Sequence, residues 1–552
     1  MESPGDNDRL LRENTVAHNI GRSFSLDMPS AKQQDMLFDL YKDESTGKVF
    51  MPKFVKCLLE SGIRKDDPRL TKLMEKLKIV DHLDETNWDP QRLYVDKDSF
   101  RECIGTSIGV VTRAMKKQTV IPDWTKFAKE LDEIFEEVSE YTEGEVADYI
   151  PQLARADADA WAVSVCTIDG QRHSMGDMHK PFCLQSVSKP FTYAFVHDEI
   201  GTDALHAHVG QEPSGRLFNE ICLDHNMKPH NPLINAGAIV VVSMLKRDED
   251  LADRFDFMIH QFRKLCENGY VGFNNSVFLS ERETADRNYA LSYYMREHKV
   301  FPDNTSLQET LDLYFQLCSI ETNCDTLASM AATLANGGVN PLSGQRVINN
   351  RACRDTLSMM YSCGMYDWSG QFAFRVGLPA KSGVSGAMII VIPNVMGIAL
   401  YSPRLDKLGN TVRGVKFAEA LVQKYNFHNY DSLVYSDVKK CDPRLSACDE
   451  FEARNKFLYA AKFGDLGAIK RHILMGRNIE DRDYEDRTVL HVAASAGDPT
   501  ILEYLLRKWT EKPDPRDQFD RTPLDDAKFF GHESCVALLE RELKKWDNRL
   551  DE

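Results

Sequence analysis

The stretch that decides the fold is Phe182-Cys-Leu-Gln-Ser186-Val-Ser-Lys189-Pro190, followed by the mostly apolar run Phe191–Val196. Pro190 has no N–H, so it is tolerated only within about the first turn of a helix, where the amides are unpaired anyway. This predicts a helix that begins near Ser186, with Lys189 three residues on and on the same face. The helix dipole would favour an oxyanion at Ser186, and a lysine stripped of water can serve as a base.

The bare Ser-x-x-Lys pattern is weak, because it occurs four times, with its serines at Ser45, Ser186, Ser243 and Ser436. Ser45 lies in a polar turn, Ser436 lies in a charged segment, and Lys246 after Ser243 opens a charged run. Those three instances are typical of surface or helix-end residues. Judged on this motif alone, Ser186 and Lys189 fit an N-cap serine beside a solvated lysine equally well.

A second motif, Lys381-Ser382-Gly383, precedes the apolar, strand-like segment Ala387–Ile392. Penicillin-binding proteins and class A β-lactamases combine Ser-x-x-Lys with Lys-Thr-Gly on an edge strand. The glycine lets a substrate approach that strand, and its amides can donate to a developing oxyanion. Together the two motifs make acyl transfer at a carbonyl the leading reaction class. We find no Gly-x-Ser-x-Gly elbow, no phosphate-binding Gly-x-x-x-x-Gly-Lys-[Ser/Thr] loop and no His-Glu-x-x-His motif in the sequence.

The composition indicates a globular protein of several domains. The 552 residues are 42% hydrophobic and 28% charged, without an apolar run near the ~18 residues that a membrane span needs. A net charge of −17 argues against a nucleic-acid groove, which needs an excess of Lys and Arg. The 13 cysteines, without a Cys-x-x-Cys, favour free thiols in a reducing compartment. Acidic residues among the first 30 are unlike an organelle transit peptide.

The N-terminal region predicts a polar tail over residues 1–30 and an EF-hand-like helical domain over residues 31–119. Apolar residues recur there at helical spacing in two blocks, which favours two helix–loop–helix units. Aligning Gly47 as the loop glycine places Lys42 and Lys53 where calcium-binding carboxylates should stand. We therefore expect this domain to bind no metal.

Residues 120–427 predict an α+β domain. Trp161–Ile168 and Gln171–Gly176 flank Asp169-Gly170 as a hairpin, and a second strand pair is predicted at Ala387–Ile392 and Met396–Tyr401. Long helical stretches, including Thr310–Cys318 and Leu327–Ala335, lie between the two pairs. This order favours one antiparallel sheet packed with helices.

The C-terminal region contains an internal repeat after a predicted linker over residues 428–452. Asp483–Ala493 recurs as Asp517–Ala527. Three glycines, Gly464, Gly497 and Gly531, follow one another at nearly the same spacing as these two segments. The motifs resemble the Thr-Pro-Leu-His-x-Ala signature of ankyrin repeats, which we place over residues 453–545. His491 is then a structural turn residue, and the repeats offer a surface for a protein partner.

The sequence motifs of the middle domain resemble those of the serine-dependent glutaminases. The animal phosphate-activated branch fits best, because helical and ankyrin regions flank the middle domain. The resemblance rests on Phe182–Pro190, Asn231–Ile239, Ser280–Asn288 and Met330–Gly338. It implies a β-lactamase-like fold and hydrolysis of L-glutamine to L-glutamate and ammonia through a glutamyl-Ser186 intermediate. It implies no metal or organic cofactor, activation by inorganic phosphate and a homotetramer whose loop Gly215–Leu223 couples an interface to the site. The resemblance implies a mitochondrial localisation. If the protein genuinely lacks a transit peptide, a cytoplasmic localisation is expected instead.

The family's roles can be carried to matching positions of this sequence. Ser186 resembles the nucleophile, Lys189 its partner, and Tyr149 and Tyr366 the tyrosines beside them. The residues that resemble those holding the amino-acid end of glutamine are Asn235, Glu281, Asn288 and Tyr314, and Val384 resembles the donor of a backbone oxyanion contact. Glu281 supplies the anion that an α-ammonium needs. Whether Lys189 or Tyr366 takes the proton of Ser186 stays open at this point.

Two alternatives accompany this hypothesis. A penicillin-recognising peptidase or β-lactamase shares both motifs, but no secretion signal is visible and the polar set is the size of an amino acid. A non-enzymatic ankyrin scaffold built on an inactive hydrolase is the other alternative, although every expected side chain is present.

Overall fold

The computed structural model describes residues 30–43, 45–75, 94–105, 107–115, 118–215, 220–267, 269–431, 440–445, 447–474 and 477–550. The predicted tail, except its last residue, and residues 432–439 of the predicted linker lie outside these ranges. Two compact units divide the chain, one with residues 1–120 and 124–418 and one with residues 121–123 and 419–552. None of the helices described is long and apolar enough to cross a membrane.

The N-terminal part of the first unit has two arms, residues 30–60 and residues 94–115, each with one short strand and two helices. Its elements are α1 (Ser30–Tyr41), β1 (Val49–Phe50), α2 (Met51–Glu60), β2 (Tyr94–Val95), α3 (Lys97–Ile104) and α4 (Ile108–Met115). The two short strands pair antiparallel, with Val49 opposite Val95. Phe54 and Phe100, one from each arm, meet edge to face in a core where both are fully buried. Within the described residues, no three His, Cys, Asp or Glu side chains are grouped to hold a metal ion.

A five-stranded antiparallel sheet is the centre of the first unit. Its strands are β3 (Ala162–Thr167), β4 (Arg172–Gly176), β8 (Ala380–Ser382), β9 (Ala387–Ile392) and β10 (Met396–Tyr401), in the spatial order β4-β3-β10-β9-β8. Both predicted strand pairs are confirmed, and β3 and β10 join them through the register Val165 opposite Ile398. The α+β prediction is therefore correct, and Lys381 and Ser382 of the Lys-Ser-Gly motif lie in the edge strand β8, which Gly383 follows.

Helices surround this sheet. They are α5 (Trp124–Ser139), α6 (Pro151–Ala154), α7 (Ser188–Ile200), α8 (Thr202–His206), α9 (Asn235–Met244), α10 (Leu251–Leu265), α11 (Asn275–Glu283), α12 (Asp286–Glu297), α13 (Leu307–Cys318), α14 (Cys324–Ala335), α15 (Asn350–Cys363), α16 (Ser369–Arg375) and α17 (Val412–Lys424). Helix α14 lies directly against β10, because a Cβ on Gly397 would be only 2.1 Å from the Ala332 nitrogen. This close approach requires glycine.

A second, small sheet was not predicted from the sequence. It consists of β5 (Phe182–Cys183), β6 (Gly272–Phe273) and β7 (Ile320–Thr322), in the order β5-β7-β6. Strands of two or three residues are too short to show an alternating pattern. β5 nevertheless matters for function, because it leads directly into the turn that carries Ser186.

The second unit contains stacked helices. They are α18 (Ala447–Lys462), α19 (Leu466–Leu474), α20 (Val489–Ala496), α21 (Pro499–Lys508), α22 (Pro523–Phe529) and α23 (Glu533–Leu550). His491 exchanges hydrogen bonds with Thr488 at the start of α20, and its Nε2 contacts the Arg521 carbonyl of the next repeat at 3.0 Å. The prediction of His491 as a structural turn residue is confirmed.

Candidate active site

The serine lies where a strand passes into a helix. β5 ends at Cys183, residues Gln185–Val187 form a 3-10 turn, and α7 begins at Ser188. The proline-based prediction of a helix start near Ser186 is thus confirmed. Gln185 has φ = 49°, in the left-handed region that non-glycine residues seldom adopt. Such strain is often found where the surrounding structure holds a functional residue in place.

Lys189 contacts Ser186 and is removed from water. Its Nζ is 3.0 Å from Ser186 Oγ and donates to Asn235 Oδ1 at 2.7 Å, and only 3% of the residue is exposed. Burial lowers the pKa of Lys189 from 10.5 to about 8, while Cys318 and Glu281 act weakly in the opposite direction. A neutral amine, able to accept a proton, is therefore accessible near physiological pH.

Tyr366 also contacts the serine. The phenol hydrogen-bonds to the Ser186 side chain and to the Val384 backbone, and burial raises its pKa far above its ordinary value. Its position is fixed by Asn410, which accepts from the Tyr366 N–H at 3.0 Å and donates to the Tyr366 carbonyl at 2.9 Å. Ser186 Oγ, the phenol and the Val384 backbone thus converge on one point, where a reacting carbonyl can be polarised.

A buried carboxylate lies next to this centre. Glu281 Oε1 accepts from Tyr149 Oη at 2.6 Å and from Gln185 Nε2 at 2.9 Å. Burial raises the pKa of Glu281, and these two donors together with the Lys189 charge partly offset that rise. Tyr149 is 49% exposed, so this carboxylate lies just inside the surface. The arrangement suits a ligand cation that enters from solvent and displaces or joins the two donors.

The remaining predicted residues complete the same cluster. Asn235 Nδ2 donates to Asn288 Oδ1 at 3.3 Å, which places two amides side by side next to Lys189. The Tyr314 ring centre is 5.9 Å from Lys189 Nζ, and Tyr314 is buried on α13. All nine residues predicted from the sequence are therefore brought together, although their roles stay predictions.

Two residues of the cluster were missed as site residues. Gln185 links the serine turn to Glu281, but a positive φ at a glutamine leaves no signal in the sequence. Lys381 is 1% exposed, donates to the Ser382 carbonyl at 2.6 Å and lies 4.5 Å from the centre of the Tyr366 ring. Burial and the Lys189 charge hold the pKa of Lys381 well below its ordinary value. The Lys-Ser-Gly motif pointed to this lysine, and only the fold shows that it supports Tyr366.

Comparisons with known proteins match each of the three regions of the chain. The profile of the glutaminase family matches residues 144–430, an EF-hand domain profile matches residues 33–122, and a profile of three ankyrin repeats matches residues 457–548. A Caenorhabditis elegans protein named "Putative glutaminase 3" is 70% identical over 96% of this chain and 91% of its own length. The mouse protein named "Glutaminase liver isoform, mitochondrial" is 46% identical over 90% of this chain and 82% of its own length. A solved structure described as "Probable glutaminase ybaS" superposes with a TM-score of 0.53 at 36% identity, covering 55% of this chain and 97% of that one.

Proposed function

The chain belongs to the glutaminase family and hydrolyses L-glutamine to L-glutamate and ammonia, and we propose that it does so through a glutamyl ester of Ser186. The observation that carries the proposal is the 3.0 Å contact between Ser186 Oγ and the buried Lys189 amine. Family membership sets aside the penicillin-recognising enzyme and the inactive scaffold as alternatives.

In the acylation step, neutral Lys189 takes the proton from Ser186 Oγ as the oxygen attacks the side-chain carbonyl carbon of glutamine. The choice of Lys189 over Tyr366 as base rests on the opposite directions of their pKa shifts. Burial lowers the pKa of Lys189 to about 8 and raises that of Tyr366, so at neutral pH the amine can lose its proton and the phenol keeps its own. Amides of Ser186 and Val384 would stabilise the oxyanion.

The neutral phenol of Tyr366 is placed to protonate the departing nitrogen, so that the C–N bond breaks and ammonia leaves. Protonated Lys189 then returns a proton to the tyrosinate through the water that replaces ammonia, because the esterified Ser186 Oγ has no proton to pass on, and this restores the neutral amine and the neutral phenol. Water then attacks the ester carbon with Lys189 as base, and the same proton returns to Ser186 as its oxygen leaves. Glutamate departs and the starting protonation states are restored.

Glutamine itself is recognised at its amino-acid end. Glu281 carries the negative charge that pairs with the α-ammonium, with Tyr149 and Gln185 holding its oxygen in place. Asn235, Asn288 and Tyr314 supply donors for the α-carboxylate. A free amino acid satisfies both ends, which favours glutamine over an amide within a peptide.

Ser186→Ala tests the covalent step. We expect ammonia release from glutamine to fall by at least ~10³-fold, because the remaining groups bind substrate but cannot form the ester. Ser45→Ala is the matched control, since Ser45 begins an identical Ser-x-x-Lys pattern in an exposed turn. Rapid-quench capture of a glutamyl adduct by mass spectrometry should place it on Ser186. Undiminished turnover in Ser186→Ala would end the proposal.

Membership of the family also supports our proposal for how the protein is regulated and how its subunits assemble. We expect catalysis without metal or organic cofactor, so that exhaustive chelation leaves turnover unchanged. We further expect homotetramers, activated by inorganic phosphate through loop 215–223, of which residues 216–219 lie outside the described structure. Light scattering with parallel ammonia assays, with and without phosphate, measures both. A monomer that is fully active without phosphate would contradict this part.

The proposal also covers the cellular location of the protein and a protein partner. The mouse and rat liver relatives are named as mitochondrial, which supports a mitochondrial location for this protein as well. Co-fractionation of the endogenous protein with a matrix marker tests it, and recovery in the cytosol alone would contradict it. The ankyrin repeats favour a protein partner. Deleting residues 453–552 should then release that partner while leaving the catalytic residues in place.

A further inference from the structure

A small internal cavity lies next to Lys189. Its walls are formed by Ser188, Lys189, Thr192, Pro232, Ala238, Val241, Val242, Tyr314 and Leu317, all of them buried. The space open to the centre of a water molecule is ≈ 10 Å³. A space of about this size admits one water, provided that two to four polar groups can hold it.

The cavity offers that polar set along one side of α7. Ser188 Oγ donates to the Gln185 carbonyl at 2.7 Å, and Thr192 Oγ1 donates to the Ser188 carbonyl at 3.0 Å. Each hydroxyl oxygen keeps lone pairs with which it can accept a hydrogen bond. The opposite wall, built from Ala238, Val241, Val242 and Leu317, is apolar. A water in this space would therefore orient both of its hydrogens toward the two hydroxyls.

The Lys189 amine completes the coordination. The neutral amine has one lone pair and two N–H groups: the lone pair faces Ser186 in the base form, and one N–H serves Asn235 at 2.7 Å. The second N–H then needs an acceptor, and the lone pair of a water in the adjoining cavity provides one. After Lys189 takes the proton of Ser186, the same water continues to solvate the ammonium.

We propose that this cavity holds one structural water bonded to Ser188, Thr192 and Lys189, and that the two hydroxyl residues act as positioning residues for the Lys189 amine. The inference rests on the proposed role of Lys189 as base. It gives the nucleophile helix a built-in site of hydration that offsets the burial of the amine. A dry cavity would leave the charged form with fewer partners and would make Lys189 a weaker proton acceptor.

Other groups also face Lys189 and must stay constant in a test. They are Glu281 on α11, Tyr314 and Cys318 on α13, and Lys381 on β8, while Tyr366 after α15 contacts Ser186. Among these, Tyr314 contributes to the cavity wall. Substitutions at Ser188 and Thr192 therefore change the hydration of the amine while leaving the surrounding charges untouched.

Two substitutions in the full chain test the proposal. Ser188→Val fills the cavity with methyl groups, and Thr192→Val removes one acceptor with almost no change in shape. Thr356→Val is the matched control, because Thr356 is equally buried in α15 and its Oγ1 donates to the Ala352 carbonyl four residues earlier, as Thr192 does within α7. The measurements are a high-resolution crystal structure of each protein and the pH profile of kcat/KM for glutamine.

The expected result is a density peak in the wild-type cavity, within hydrogen-bond distance of both hydroxyls, that Ser188→Val abolishes. The acid limb of kcat/KM should move to lower pH by about one unit in both variants and stay in place in Thr356→Val. Two results overturn the proposal. One is a wild-type cavity without a water, and the other is a wild-type cavity that holds the water while the acid limb of kcat/KM stays at the same pH in both variants. If Ser188→Val does not fold, Thr192→Val decides it alone. A wild-type profile without an acid limb near pH 8 would instead count against Lys189 as the base, and so against the proposed function.

Discussion

At the scale of single residues, the site depends on a lysine that is buried away from bulk solvent beside a serine that is held by a strained turn. Lys189 contacts Ser186 and Asn235 together, so its amine is fixed in position as well as buried. Gln185, just before the serine, has a positive φ, and its side chain donates a hydrogen bond to Glu281. The proposed nucleophile and the buried Glu281 carboxylate are therefore linked through one turn of backbone.

The pH dependence of catalysis follows from Lys189. Because the base form is the neutral amine, kcat/KM should rise with pH through about 8, the value to which burial lowers the pKa of Lys189. The check is kcat/KM from pH 6 to 10, with each sample returned to pH 8 to show that the loss is reversible. A flat profile between pH 7 and 9 would exclude Lys189 as the titrating base.

The same lysine has a cost in stability that Lys189→Met should reveal. Between pH 8 and 10.5 the unfolded chain binds a proton at Lys189 that the folded protein has released, so the free energy of unfolding rises with pH there. Relative to the variant, the wild type should gain up to about 3 kcal/mol from pH 7 to 10.5. Urea titrations at several pH values measure the difference, and parallel curves for the two proteins would refute this expectation.

Gln185→Ala should weaken substrate binding more than chemistry. Without the Gln185 donor, the pKa of Glu281, which burial already raises, rises further, and the carboxylate loses its charge at a less acidic pH. We expect KM for glutamine to increase ~10-fold at neutral pH, and by more toward acid, while kcat changes little. Steady-state kinetics at pH 6.5 and 8.5 distinguish this from a purely structural effect, which would lower kcat equally at both.

At the scale of elements, the site is the place where two chain segments far apart in sequence touch. Strand β8 lies at the edge of the large sheet, and the serine turn lies next to it. A Cβ on Gly383 would be 3.0 Å from the Leu184 carbonyl oxygen and 3.1 Å from Val187 Cγ2, tighter than ordinary packing. The glycine lets the strand approach the turn, and Val384 immediately follows it.

Gly383→Ala should therefore impair catalysis while the fold persists. A displacement of β8 by a few tenths of an ångström moves the Val384 amide and Lys381 away from Ser186, and we expect kcat/KM to fall ~10- to 100-fold. The loss of unfolding free energy should stay near ~1 kcal/mol. Gly370→Ala in α16 is the matched control, because a Cβ there meets nothing within 4 Å. Equal activities of the two variants would contradict the close-approach argument.

At the scale of the first unit, the EF-hand-like part and the glutaminase part share buried polar contacts. Arg69 pairs with the fully buried Asp67 carboxylate at 2.7 Å, and its Nη1 donates to the Asp169 carbonyl at 2.7 Å and the Pro341 carbonyl at 3.3 Å. The Arg172 N–H of β4 donates to the Gly62 carbonyl at 2.9 Å. These contacts hold the β3–β4 turn and the region after α14 against the N-terminal helices.

Arg69→Ala should consequently destabilise both parts together. Removing the guanidinium leaves the Asp67 carboxylate buried without its cation, which costs about 3–5 kcal/mol. Calorimetry should show a lower midpoint for one cooperative transition. Lys56→Ala, at an exposed pair with Glu60, serves as control and should change stability by less than ~0.5 kcal/mol. Separate transitions for the N-terminal and glutaminase parts would show that the contacts do not couple them.

The sequence by itself determined the local features and, through the resemblance, the residue types of the site. The β3–β4 hairpin and the helix start near Ser186 follow from short-range rules of turn chemistry and of proline geometry, which operate within a few residues. The ankyrin repeats could be recognised because each repeat contacts mainly its neighbours.

The tertiary structure decided what depends on long-range packing. Three features arise between segments that are far apart in the chain: the contact of Lys381 with Tyr366, the approach of Gly383 to the serine turn, and the cavity beside Lys189. A fourth, the positive φ of Gln185, is held by the surrounding fold. Burial is likewise a property of the whole fold, and burial is what turns a common Ser-x-x-Lys into a serine with a base. For that physical reason the sequence could name Ser186 and Lys189, whereas only the folded chain shows why this pair, and not the exposed pair at Ser45, is suited to react.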